Sequence, residues 1–128
     1  MAKIILATDW ESLRAQMAAT LETSGHQVLQ LPGDPNLIVE KMDAFRPDLY
    51  LLDLVMLSDT RLAYAGVRAV GKIRLVRADA KIIIFTSVDR LREEVLKAEK
   101  EGALGYLHVP FPPQALLREV ERVLALPA

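Results

Sequence analysis

Cysteine is absent from the 128 residues, which excludes a disulfide framework, thiolate catalysis and any cysteine-ligated metal. Histidine occurs only at His26 and His108, isolated from each other, so a zinc site has nothing to build on. Net charge is scarce as well. Sixteen Lys and Arg against 17 Asp and Glu leave −1 at pH 7, so bulk electrostatics favour neither nucleic acid nor an anionic membrane as a partner. Apolar runs are strand-length and interrupted by charge, too short to cross a bilayer. The chain passes from Lys3 straight into a strand without the apolar core of a signal peptide, and the expected location is cytoplasmic. No Gly-x-Ser-x-Gly elbow occurs, which removes the usual α/β-hydrolase chemistry.

What is present is an alternation of two hydrophobic periods. Lys3 to Thr8 reads as a strand, followed by a helix with Leu13, Met17 and Leu21 on one face and Gly25 at its close. Gln27 to Leu31 is a second strand, and Pro32-Gly-Asp-Pro35 is a turn. A helix follows with Ile38, Met42 and Phe45 on one face, stopped by Pro47. Leu49 to Leu52 is the third strand, then comes an irregular stretch from Leu54 to Ala65 and a helix from Val67 to Val76. Ile82 to Phe85, Asp89 to Glu101 and Leu104 to Val109 continue the strand-helix-strand pattern, with Gly102 as a helix stop. Pro112-Pro113 opens a last helix carrying Leu116, Val120 and Leu124, since proline at a helix start loses no amide bond. Five strands alternating with five helices predict a doubly wound α/β fold with a parallel sheet.

The strand ends carry the chemistry. The third strand runs into Asp53, the first into Asp9, and the fourth into the hydroxyls of Thr86 and Ser87. Parallel neighbours would gather these ends in one polar crevice, where open α/β sheets bind their ligands.

Four segments in this order resemble the receiver domains of two-component response regulators. They are Lys3-Ile-Ile-Leu-Ala-Thr-Asp9, Pro47-Asp-Leu-Tyr-Leu-Leu-Asp53, Ile82-Ile-Ile-Phe-Thr-Ser87 and Gly102-Ala-Leu-Gly-Tyr-Leu-His-Val-Pro-Phe111. The resemblance covers essentially the whole chain, 1–128, and implies a flavodoxin-like five-stranded sheet in the order 2-1-3-4-5. It implies that Asp53 accepts a phosphoryl group from a sensor histidine kinase, a phosphotransfer protein or a small phosphodonor. Mg²⁺ would be held by Asp9, Asp53 and the backbone carbonyl of Val55, a hard-oxygen set of the kind this cation prefers. Thr86 matches the hydroxyl that bonds the phosphoryl group, and Tyr106 matches the aromatic that moves with it. The state would pass to a downstream effector through the surface of the fourth helix, fifth strand and fifth helix, with a homodimer left open. No enzymatic activity is implied beyond self-catalysed phosphoryl transfer and autodephosphorylation.

The chain departs from the family pattern at three places. Thr8 stands where the first of two adjacent acids is usual, which should weaken Mg²⁺ binding. Val109 replaces the lysine that pairs with the phosphoryl oxygens, and strand alternation turns His108 to the opposite face. The loop after Asp53 lacks the usual Met-Pro and is longer, offering Asp59 or Arg61 as new contacts or simply a longer helix. These departures keep a second reading in view: a pseudo-receiver, a protein-interaction module read without phosphorylation.

Three further features have plain explanations. Gly66 to Lys72 has the spacing of a phosphate-binding loop but lacks its Ser/Thr, and Val67 and Val70 fit a helix face instead. Arg68 and Lys72 share one face of that helix, with Arg74 and Arg77 pointing elsewhere, as expected of a solvated surface. Trp10 is expected as a partly exposed aromatic beside the crevice.

Overall fold

In the computed structural model, residues 1–58, 64–87, 89 and 92–127 are described. The five strands are β1 (Lys3–Ala7), β2 (Gln27–Leu31), β3 (Leu49–Asp53), β4 (Ile82–Thr86) and β5 (Gly105–His108). They form one parallel sheet in the order β2-β1-β3-β4-β5, as the alternation and the resemblance predict. The helices are α1 (Glu11–Thr23), α2 (Pro35–Phe45), α3 (Ala65–Val76), α4 (Glu93–Glu101) and α5 (Pro113–Leu124).

Strand residues alternate between two cores, one on each face of the sheet. Ile4, Leu6, Leu49, Leu51, Ile83 and Phe85 pack with Met17 and Leu21 of α1 and Leu116, Val120 and Val123 of α5. Ile5, Tyr50, Leu52, Ile82 and Ile84 pack with Ile38 and Met42 of α2, Val70 and Ile73 of α3, and Val95 and Ala98 of α4. Each such side chain, fully buried, contributes about 1.5–3 kcal/mol by leaving water. This is why the central strands read as continuous apolar runs rather than as half-polar ones.

Local chemistry sets the helix ends. Asp34 caps α2 by accepting from the backbone N–H groups of Asn36 and Leu37, with Pro35 at the first helical position. The same helix ends on Arg46 in the left-handed region, immediately before Pro47. Helix α3 starts at Ala65, two residues before the expected Val67. Helix α4 starts at Glu93 rather than Asp89, whose carbonyl accepts from Arg92 N–H. Strand β5 is shorter than Leu104 to Val109, although the N–H groups of both end residues still bond across to β4. The loop contacts offered for Asp59 and Arg61 lie outside the described residues.

Candidate phosphoacceptor site

The sheet order puts β1 beside β3 and β3 beside β4, so their C-terminal ends meet. A cavity of about 280 Å³ opens there. Asp9, Asp53, Val55, Thr86 and Ser87 line it, with Trp10, Leu13, Leu57, Phe85 and Val109 as its apolar walls. The strand-end residues named from the sequence are thus brought together, with Tyr106 the exception.

Both oxygens of Asp53 are engaged. Thr8 Oγ1 donates to Oδ2 at 2.6 Å, and the Val55 N–H donates to Oδ1 at 3.0 Å. Burial pushes the Asp53 carboxyl above its ordinary value, the bonds from Thr8 and Val55 pull it down, and nearby Asp9 pushes it up. Thr8 is fully buried, accepts from Trp10 N–H at 3.1 Å, and has its carbonyl held by Arg14 Nη1 at 2.7 Å. The residue therefore does more than leave out an acid: it is a hydrogen-bond donor to Asp53. A hydroxyl beside a strand-end carboxylate was the available signal.

Asp9 has a different set of partners. Its Oδ1 accepts from Gly33 N–H at 2.9 Å and its Oδ2 from Leu57 N–H at 2.8 Å, tying the loops after β2 and β3 to the end of β1. A Cβ on Gly33 would lie 2.6 Å from Asp9 Oδ2, so a larger residue there would have to push that carboxylate aside.

Thr86 is 3% exposed and lines the cavity. Tyr106 does not. Its ring is partly buried against the core under α2, α3 and α4, and its N–H donates to Glu119 at 3.0 Å. Val109 forms an apolar wall at 8% exposure, followed by a cis bond to Pro110. His108 is exposed, with its ring 6.5 Å from that of Tyr106, on the face that alternation assigns it. Trp10, 55% exposed, borders the cavity as expected.

The basic surface needs one correction. Arg74 lines the same groove between α3 and α4 as Arg68 and Lys72, instead of pointing elsewhere, while Arg77 pairs with Asp43 at 3.5 Å. Residues three and four apart on a helix are both neighbours, and Arg74 lies within that spacing of Gly71.

Among the described residues no three His, Cys, Asp or Glu side chains cluster to hold a metal. The cavity is lined by the carboxylates of Asp9 and Asp53, hard oxygens with lone pairs left over after the hydrogen bonds above. That chemistry suits a cation of the Mg²⁺ type, which keeps several waters of its own.

The model of the response regulator receiver domain matches residues 4–121. The chain belongs to this family. Protein PilH of Pseudomonas aeruginosa is 29% identical over 98% of the chain and 99% of its own length. The chemotaxis protein CheY of Halobacterium salinarum is 30% identical over 97% and 98%. Among solved structures, CheY4 of Vibrio cholerae superposes with a TM-score of 0.84 at 26% identity, covering 96% of this chain and 98% of that one. Receiver domains are signalling modules that bind Mg²⁺ at the phosphorylation site and interact with histidine kinases and effectors. Among the described residues, no helix of this receiver is long and apolar enough to cross a membrane.

Proposed function

We propose that this receiver accepts a phosphoryl group on Asp53 and relays the change to an effector through the surface of α4, β5 and α5. The observation that carries this reading is the position of Asp53, at the mouth of a cavity shared with Asp9, Val55 and Thr86. A carboxylate oxygen of Asp53 attacks phosphorus, and the bond to the donor's nitrogen or oxygen breaks, the leaving group keeping the electron pair. Mg²⁺, held by Asp9, Asp53 and the Val55 carbonyl, would offset the charge on the phosphoryl oxygens. Thr86 supplies a hydroxyl to the new group, and Tyr106, on the neighbouring strand, carries the rearrangement outward.

Two features make the step slow. Oδ2 is held by a short bond from Thr8, and among the described residues no basic side chain lines the cavity to meet the incoming charge. The same features favour a second reading, a pseudo-receiver whose resting surface is the signal.

Incubation with Mg²⁺ and acetyl phosphate separates the two by mass and Trp10 fluorescence, with Asp53→Asn as control. A phosphoryl adduct confined to the chain with Asp53 is expected. No adduct and no spectral change at saturating donor would leave the pseudo-receiver.

A further inference from the structure

A groove of about 760 Å³ runs between α3 and α4, lined by none of the residues of the Asp53 cavity and sharing only α4 with the proposed relay surface. Gly71 forms its floor, where a Cβ would lie 3.3 Å from Glu101 Oε2. Leu75 stands on its rim at 89% exposure. A leucine so exposed, four residues along the helix from a side-chain-free floor, makes an apolar strip that no described residue covers.

The charge around that strip is uneven. From Ala65 to Arg77 the chain has four basic residues and no acid, although its net charge is −1. Arg77 is paired with Asp43, and Arg74 donates to the Ala80 carbonyl at 3.0 Å. Lys72 forms no ion pair with any described residue. Across the groove, Lys97 has an exposed pair with Glu93 at 3.3 Å, a kind of contact that is easily exchanged. Beside it Glu94 Oε2 is buried without a hydrogen bond; Arg92 Nε, at 3.5 Å, is an ionic neighbour only.

We propose that this groove seats a short acidic, amphipathic segment of a partner protein. One carboxylate of the segment lies between Lys72 and Lys97, and an apolar side chain covers Gly71 and Leu75. The concave shape and the two glutamates in the walls, Glu94 and Glu101, disfavour a lipid surface or a nucleic-acid backbone. The seat also has a mechanical link to the other site. In the first turn of α3, Gly66 N–H donates to the carbonyl of Leu54, the residue after Asp53, at 2.9 Å.

The test is a titration of the whole ¹⁵N-labelled chain with three short synthetic peptides and with phosphatidylglycerol vesicles. One peptide alternates Glu and Leu on helical faces, one carries Lys in place of Glu, and one carries Gln in place of Leu. The Glu/Leu peptide is expected to give saturable shifts confined to residues 66–75 and 94–101. Lys72→Glu with Lys97→Glu should weaken it about tenfold or more, and the milder Lys72→Gln with Lys97→Gln should show the same direction. The proposal is overturned by shifts that do not saturate, by shifts on another face, by equal binding of the Lys or Gln peptide, or by vesicles competing through the same lysines.

Discussion

The two edges of the sheet use the same kinds of polar residue to opposite ends. At the N-terminal edge the polar contacts of Asp48, His26 and Lys81 close the fold. Asp48 accepts from Lys3 N–H at 2.9 Å, His26 Nδ1 accepts from Ala2 N–H at 3.1 Å, and Lys81 Nζ donates to the carbonyls of Leu124 and Leu126. At the C-terminal edge Asp53 and Asp9 also have two partners each, but both line a cavity. Each edge also keeps one titratable group from water. Burial pushes the Tyr50 hydroxyl up to about 12, which leaves it neutral and undisturbed at ordinary pH. Burial of Asp53 acts on a carboxyl that must carry charge in the proposed reaction. Desolvation holds a phenol neutral at one end of the sheet and opposes the charge of a carboxylate at the other.

The largest break in this contrast comes from the upper edge. A Cβ on Gly66 would run into the Asp53 carbonyl and lie 2.6 Å from Leu54 Cα, both backbone atoms that cannot swing aside. Gly66→Ala is expected to lower stability by about 1–3 kcal/mol in urea unfolding and to distort the site with it. The lower edge should yield less, and only in stability. Lys81→Met removes two bonds from a charged donor to the end of α5, an expected loss of about 1–2 kcal/mol. Adduct formation at Asp53 should be unchanged; a lost adduct would mean the edges are coupled.

The smallest effect sharpens the comparison through pH. A carboxyl whose folded pKa lies above its unfolded value takes up a proton on folding, so its ionisation favours the unfolded chain. Stability from this source is fully present below the ordinary carboxylate pKa and is lost as pH rises through the folded value of Asp53. Asp53→Asn is therefore expected to raise the urea midpoint at neutral pH, with the gain shrinking as pH falls below the carboxylate range. A gain that is constant with pH would show that burial does not act on this charge.

Much of this was legible in the residues themselves. Apolar runs ending at Asp9, Asp53 and Thr86, separated by helical periodicity, specified a parallel α/β sheet and the edge that carries the site, because side-chain period and strand polarity are local properties. Pro47, Gly102 and Pro113 marked helix limits for the same local reason. The bond from Thr8 to Asp53 spans 45 positions, and the one from Leu57 to Asp9 spans 48. Such partners depend on how loops fold over a finished sheet, and nothing periodic announces them. The sequence by itself determined the sheet, the edge at which Asp9, Asp53 and Thr86 meet, and the family. Only the tertiary structure decided that Thr8 is a donor to Asp53, that Asp9 clasps two loops, and that Tyr106 stands outside the cavity, since those facts are set by contacts between segments that meet only after the core has closed.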